Sequence, residues 1–153
     1  MSAVTPAPSG DWLLESALAP VVAGDVGDVL APFYDAAAHG ELAMPFCAEC
    51  DQPLEMEQRV CDGCGAAHAR WCAVEPSGSV HAATVMHRLE PGLVRADAPY
   101  PIVDVELHSG HRLVMTTVHP SSTAPPIGAP VRIGFRRLGD IALPAIESVE
   151  ESQ

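Results

Sequence analysis

The stretch Phe46-Cys47-Ala48-Glu49-Cys50 is followed, after ten intervening residues, by Cys61-Asp62-Gly63-Cys64-Gly65. Two residues between cysteines let the chain bend so that both sulfurs reach one ion, and two such turns facing each other complete a tetrahedral set of thiolates. The pattern predicts a structural zinc site, and because sulfur fills all four positions, the ion should not activate water. The predicted metal ligands are Cys47, Cys50, Cys61 and Cys64.

The residue after each cysteine pair must adopt the backbone conformation that this turn often needs. Gly65 follows the second pair and permits the positive φ that such a turn often needs. Asp51 follows the first pair, and Asp tolerates left-handed geometry better than most residues. Both turns are therefore feasible, with the second closer to the ideal.

Two other interpretations of the cysteines remain open. The pairs could be accidental, with buried or disulfide-bonded thiols. They could also hold iron, as in a rubredoxin-like electron carrier, because sulfur coordination alone does not separate zinc from iron. The fifth cysteine, Cys72, follows Trp71 and is predicted to be a core residue and not a ligand.

Before the cysteines the chain predicts helical structure. Residues 1–10 are rich in Pro, Ser and Ala and indicate a flexible tail, and residues 11–42 indicate an N-terminal helical segment. Within it, Leu30 to His39 has one apolar face, Pro32 in the first turn and Gly40 placed to end the helix.

After the cysteines the hydrophobic period changes to two, which indicates strands. We expect a zinc ribbon at residues 43–70, then four or five short strands forming an OB-type barrel at residues 71–140, with the first strand starting at Trp71 and a hairpin at residues 107–112. Residues 141–153 are interpreted as a C-terminal tail. The predicted fold class is mainly β with N-terminal helices, a rubredoxin-like zinc ribbon followed by a five-stranded OB-fold barrel.

Charge counts against nucleic acid as a ligand. The 153 residues carry a net charge of −12, and eight arginines are the only strong cations. Phosphate backbones are bound mainly by cationic side chains, so a stand-alone ribbon and barrel that binds nucleic acid is the weaker alternative. No apolar run approaches the ~18 residues of a membrane span, and the start lacks the regions of a signal peptide. We therefore expect a cytoplasmic protein.

No catalytic constellation is evident in the sequence. Neither a nucleophile elbow nor a glycine-rich phosphate loop occurs. Four histidines, at positions 39, 108, 111 and 119, fall at predicted surface turns. These features favour a binding or scaffolding subunit over an enzyme that works alone.

The order of these features resembles a known family. Pro32-Phe33-Tyr34 in the helix precedes the two cysteine pairs, Ser77-Gly78-Ser79-Val80 opens a strand, and Ile127-Gly128-Ala129-Pro130-Val131 precedes the last one. This order is similar to the zinc-ribbon OB-fold family catalogued as domain of unknown function thirty-five, over roughly residues 30–143. The departures are Asp51, where a glycine is usual, and Ala145-Ile146, which replaces an aromatic residue and a proline.

The resemblance implies a protein that is not catalytic alone. Members of this family associate with acyl-CoA and pair with thiolase-like or hot-dog-fold enzymes. The residues of those partners make, break or hydrate bonds in acyl-CoAs, for example in retro-aldol removal of steroid side chains or in thiolysis. The family's metal ligands correspond to the four cysteines named above. The implied partner is a thiolase-like protein, and the implied ligand of the complex is an acyl-CoA.

Two further expectations concern contacts with ligand and partner. Arg132 and Arg136 are predicted to share a strand face and to touch CoA or an acidic patch, since Arg grips phosphate bidentately. The apolar run at 141–146, together with the helix at 30–39, is predicted to pack on the partner. The competing interpretation is that this run covers the end of the barrel itself.

Overall fold

The computed structural model describes residues 11–18 and 28–150. The expected flexible tail at residues 1–10 lies outside the described residues, as do residues 19–27 of the helical segment and the last three residues. The described elements are a 3₁₀ turn at Ser16–Leu18, helix α1 at Ala31–Ala38, and strands β1 at Ala43–Cys47, β2 at Ala69–Ala73, β3 at Ser77–Met86, β4 at Tyr100–Leu107, β5 at Arg112–Met115, β6 at Pro130–Leu138 and β7 at Ile141–Val149.

Helix α1 forms where the apolar periodicity predicts it. Pro32 lies in its first turn, and Gly40, with φ +75°, ends it in the left-handed conformation that glycine adopts without strain. Phe33 and Ala37 are buried, one turn apart on the same face. The helix contacts β1, β2 and β7, so it bridges the two sheets.

Strands β1 and β2 form a separate two-stranded antiparallel sheet in which Cys47 pairs with Ala69 and Pro45 with Trp71. The strand expected at Trp71 therefore exists, but it pairs with the cysteine-bearing strand and not with the barrel. The sequence could not show this, because an apolar and aromatic strand fits either sheet.

The second sheet has five antiparallel strands in the order β5-β4-β3-β6-β7. It curls until its ends meet, where Val118 N–H donates to Ile146 O at 2.8 Å and Ile146 N–H donates to Thr116 O at 2.9 Å. A register shift between Val80 and Ala82 in β3 supplies local bending of the kind that closes small barrels. This is the predicted OB-type fold, mostly β, with one short α-helix among residues 11–18 and 28–150.

The fifth strand of this sheet differs from the prediction. Residues 141–149 do not form a tail but strand β7, which pairs along its whole length with β6. Ala142, Ala145 and Ile146 are buried in the protein itself. The interpretation in which this run covers the end of the barrel is correct, and these buried side chains are not free to dock on a partner.

One hydrophobic core joins the ribbon to the barrel. Its buried members come from α1, from the ribbon strand β1 and from the barrel strands, and they are Phe33, Leu42, Met44, Val80, Val103, Val105, Leu107, Met115, Val131, Ile133 and Ile146. Because the ribbon and the barrel share this core, a change in the packing of one alters the packing of the other.

The segment before the 3₁₀ turn is attached to the barrel by backbone and side-chain hydrogen bonds. Trp12 Nε1 donates to Thr117 O at 2.9 Å, and Arg95 N–H donates to Leu13 O at 2.7 Å. Leu13 is buried. The N-terminal segment is thus built into one end of the barrel.

Strands β3 and β4 approach closely at Gly78, where there is no room for a side chain. A Cβ on Gly78 would lie 2.2 Å from the carbonyl oxygen of Glu106, a backbone atom that cannot turn aside. We expect Gly78→Ala to lower the free energy of unfolding by about 1 to 3 kcal/mol, the range for overpacking. Urea denaturation measures this, with Ser79→Ala as the neighbouring control; equal stability of the two variants would refute the close approach.

Candidate metal centre

The four cysteine sulfurs lie within 4.8 Å of one another. The Sγ atoms of Cys47 and Cys64 are 3.5 Å apart, and those of Cys50 and Cys61 are 3.6 Å apart. A tetrahedron with metal–sulfur bonds of about 2.3 Å has edges of about 3.8 Å, so small outward movements accommodate a zinc ion. The donor set and its spacing therefore fit the metal site that the sequence predicts.

Two matching turns position these sulfurs. In the first turn Asp51 N–H donates to Cys47 O at 3.0 Å, and in the second Gly65 N–H donates to Cys61 O at 2.9 Å. Asp51 and Gly65 have φ of +62° and +79°, so both occupy the left-handed region. The expected turn geometry is present in both halves.

Backbone N–H groups favour the thiolate form of Cys47. The backbone N–H groups of Cys50 and then of Glu49 lower the pKa of Cys47 to about 7. For Cys50 the backbone N–H of Gln52 lowers the pKa, but burial and the neighbouring thiols outweigh it and raise the pKa to about 12. Without a metal the cluster thus keeps protons, and a bound cation replaces them.

An ion pair supports the strained residue of the first turn. Arg70 of β2 places a guanidinium nitrogen 2.8 Å from Asp51 Oδ1, and its Nε donates to Cys72 Sγ at 3.2 Å. These side chains are about half exposed or more, so solvent screens the pair and it adds little to stability. Cys72 is partly buried beside Arg70 and lies outside the four-sulfur cluster.

Replacement of Asp51 by glycine is expected to change stability by less than about 1 kcal/mol. Glycine relieves the left-handed strain, whereas the lost ion pair with Arg70 acts in the opposite direction. Asp51→Val should instead destabilise the ribbon, since a β-branched residue is poorly tolerated at positive φ. Thermal unfolding of the zinc-loaded variants measures both, and an equal loss for glycine and valine would contradict the role of φ.

A buried histidine ties the ribbon to the barrel. His111 follows the β4–β5 turn and is only 5 % exposed, although the sequence places it at the surface. Its Nε2 donates to Pro45 O at 2.7 Å, and its Nδ1 accepts from Ser109 Oγ at 2.7 Å. The carbonyl only accepts, which fixes this tautomer. Its ring also packs edge-to-face on Phe46, the neighbour of Cys47 in the chain.

The two arginines expected to share a face have different surroundings. Arg132 is exposed on β6, whereas the side chain of Arg136 is 12 % exposed and forms an ion pair with the fully buried carboxylate of Asp11. The strand twists along its length as the sheet coils into the barrel, so the two side chains have different neighbours. Sequence reasoning missed Asp11, since nothing local links it to a residue 125 positions away.

None of the helices within residues 11–18 and 28–150 is long and apolar enough to cross a membrane.

Fold and site together define a class of protein: a four-cysteine ribbon that packs on an OB-fold barrel. The model of one family, described as ChsH2, C-terminal OB-fold domain, matches residues 71–136. A chain of the solved structure of the Ltp2-ChsH2(DUF35) aldolase is similar over 80 % of this chain and 96 % of its own length, with 25 % identity and a TM-score of 0.69. No curated protein sequence matches.

These findings confirm the resemblance found in the sequence. Residues 71–136 match the OB-fold domain model, and the ribbon and barrel together have the fold of the ChsH2(DUF35) chain, which supports the resemblance to domain of unknown function thirty-five. The four-cysteine cluster stands where a zinc ribbon precedes the barrel.

Proposed function

We propose that this protein is a non-catalytic accessory subunit that binds a thiolase-like enzyme and supports cleavage or formation of carbon–carbon bonds in an acyl-CoA. The reaction favoured is retro-aldol cleavage, with steroid side chains as one example of the acyl group. Zinc in the four-cysteine site is structural: it holds the ribbon, and Cys47, Cys50, Cys61 and Cys64 are its ligands.

One observation carries the proposal. The similarity to a chain of the Ltp2-ChsH2(DUF35) aldolase covers 80 % of this chain, which is more than the barrel strands alone, so the match extends beyond the barrel into the preceding part of the chain. OB barrels alone serve many functions, but a ribbon that precedes the barrel reduces the number of functions to consider. That aldolase carries the names of two components, Ltp2 and ChsH2, which supports a hetero-oligomer for this chain.

The charge of the molecule agrees with a protein partner. The net charge is −12, and the described acids include a group exposed on the ribbon, with Glu49, Asp51, Glu55, Glu57 and Asp62 as members. A polyanion would be repelled by this surface, which weighs against the nucleic-acid alternative. A partner with a basic patch would be attracted, and its association rate would fall as salt increases.

The direct test is reconstitution with a thiolase-like protein from the same host. The mixture is assayed for retro-aldol cleavage of acyl-CoA substrates, and each protein alone serves as the control. We expect the complex to cleave the substrate at a rate at least about tenfold above either component, a difference of about 1.4 kcal/mol in the barrier. A partner that is fully active alone, or a mixture that is inactive although the complex forms, would refute the proposal.

Arg132 remains the proposed contact for CoA or for an acidic patch of the partner. It is exposed, and no side-chain hydrogen bond or ion pair engages it among the described residues. A guanidinium that grips a phosphate is worth about 1.5 to 3 kcal/mol when desolvated. Arg136, which the sequence pairs with it, is already engaged by Asp11 and contributes less to this contact.

We expect Arg132→Ala to raise the KM of the reconstituted complex for acyl-CoA by about tenfold, which corresponds to about 1.4 kcal/mol. The matched control is Arg137→Ala, an exposed arginine five positions along the same strand. Steady-state kinetics with both variants measures the effect. If both variants turn over acyl-CoA as the unmodified complex does, and assemble equally well, Arg132 contacts neither CoA nor partner.

A further inference from the structure

The turn between β4 and β5 lies between the barrel and the ribbon. Leu107 N–H donates to His111 O at 2.8 Å and Gly110 N–H donates to Leu107 O at 2.9 Å, so the turn closes on itself. Leu107 is buried in the shared core, which fixes the turn to the barrel. On the other side, a Cβ on Gly110 would lie 3.5 Å from Pro53 Cγ, which is contact distance to the ribbon.

The carbonyl oxygen of Pro45 in β1 accepts two hydrogen bonds at this junction. One comes from His111 Nε2 at 2.7 Å, and the other comes from Leu54 N–H at 3.0 Å. The rings of His111 and Phe46 also pack edge-to-face, with centroids 4.9 Å apart. Because hydrogen bonds are directional and apolar packing is not, these bonds fix the position of β1 relative to the barrel.

The contacts continue from Pro45 to the sulfur ligands. Leu54 is 4 % exposed and packs with Cys47 and Cys61, the two buried cysteines of the cluster. Cys47 N–H donates to Gln52 O at 2.8 Å, so a second hydrogen bond holds the same segment against β1. Replacing a residue that orients metal ligands from outside typically weakens metal binding about 10- to 100-fold. A displacement of β1 at Pro45 would therefore reach both buried ligands.

We propose that His111 is a positioning residue for the metal site. Through its hydrogen bond to Pro45 O it fixes the strand that carries Cys47, so the metal affinity of the ribbon depends on a residue of the barrel. Coupling between two sites is reciprocal, so metal binding must stabilise the β4–β5 turn to the same extent. This coupling requires that the four cysteines bind a metal, but it does not depend on the accessory-subunit function.

Two amide variants of His111 separate its two hydrogen bonds. The side-chain nitrogen of His111→Gln reaches as far as Nε2 and keeps the bond to Pro45 O. The shorter His111→Asn reaches only as far as Nδ1, so it keeps the contact with Ser109 and loses the one with Pro45. The matched control is His108→Asn, an exposed histidine of the same turn. Circular dichroism establishes that each variant is folded.

The first measurement is the Kd for zinc, by competition with a chromophoric chelator in reducing buffer. We expect His111→Asn to raise this Kd about tenfold, whereas His111→Gln and His108→Asn bind zinc like the unmodified protein. Equal zinc affinity of folded His111→Asn and the unmodified protein would overturn the proposal. Equal weakening by His111→Asn and His111→Gln would also overturn it, because the bond to Pro45 would then have no part in the effect.

A purely structural role for His111 is tested by urea denaturation of the zinc-loaded and the metal-free forms. A residue that only stabilises the barrel lowers the folding equilibrium constant by the same factor in both forms. Coupling predicts that His111→Asn lowers it about tenfold more in the zinc-loaded form, as the thermodynamic cycle with the zinc affinities requires. An equal loss in the two forms would contradict the coupling.

The reciprocal effect is measured on the unmodified protein and needs no variant. Removal of zinc should speed hydrogen exchange of the Gly110 and Leu107 amides about tenfold, since the turn loses the same coupling energy. The control amide is that of Ala142, which pairs with Arg137 across β6 and β7 and lies outside the shared core. Unchanged exchange in the turn would overturn the proposal. No partner or acyl-CoA takes part in these measurements, so their outcome is independent of the reconstitution.

Discussion

Cys47→Ala should abolish stoichiometric metal binding and unfold the ribbon. Cys47 is fully buried in β1, and the same strand contributes Met44 to the shared core. Structural zinc supplies about 10 to 16 kcal/mol in small zinc domains, as much as the whole stability of a typical protein. We therefore expect loss of hydrogen-exchange protection in β1 and β2, with weaker protection in the barrel strands that pack on Met44.

The control for this experiment is Cys72→Ala. Cys72 is paired with Met44 across the ribbon sheet but lies outside the sulfur cluster. This variant should retain one metal ion per chain and the exchange pattern of the unmodified protein. A Cys47→Ala protein that kept both its metal and its ribbon protection would contradict the four-thiolate site.

Asp11→Ala should strongly destabilise the barrel. It leaves the Arg136 guanidinium, 12 % exposed, without its carboxylate, and breaking a buried ion pair from one side costs about 3 to 5 kcal/mol. It also removes the acceptor for Leu14 N–H, at 2.9 Å from Asp11 Oδ2, and so loosens the N-terminal segment. Urea denaturation monitored by fluorescence of Trp12 and Trp71 measures the loss.

The double change Asp11→Ala with Arg136→Met completes this test. Replacing both charges by apolar groups is often neutral, so most of the lost stability should return. The matched surface pair is Asp104 and Arg112, whose disruption by Asp104→Ala should cost less because half of the Arg112 side chain is exposed. If Asp11→Ala cost no more than Asp104→Ala, the buried pair would not stabilise the barrel as described.

The four-cysteine cluster was predictable because its information is local. Cysteine spacing and the residues after each pair, Asp51 and Gly65, define a turn that needs no distant contact. The same holds for helix α1, whose apolar period and flanking Pro32 and Gly40 lie close together in the sequence. Helix and four-cysteine cluster are both present in the structure.

Strand β7 was missed because its sequence does not alternate. Its buried positions are Ala142, Pro144, Ala145 and Ile146. Its pairing register with β6 also shifts between Arg132 and Ile133. A proline within the run also argues against a strand. At the edge of the sheet, next to the closure of the barrel, such irregularity is tolerated.

The remaining errors concern contacts between residues far apart in the chain. His111 was interpreted as a surface residue because it follows a turn, yet the turn points toward the ribbon and the ring enters the space beside Phe46. Arg136 was interpreted as a free cation because its partner, Asp11, lies 125 residues earlier. Periodicity reports which face of an element is apolar, but not which distant group packs against it.

We propose that this chain works as the zinc-containing subunit of a larger acyl-CoA enzyme. To test this, the tagged full chain is purified from its native host, and the same sample is analysed for co-purifying proteins by mass spectrometry and for metal content. We expect a thiolase-like protein in fixed stoichiometry and about one zinc per chain, as a tetrathiolate site holds one ion. Recovery of the chain alone, or with iron in place of zinc, would contradict the claim and favour a stand-alone binding module or an electron carrier.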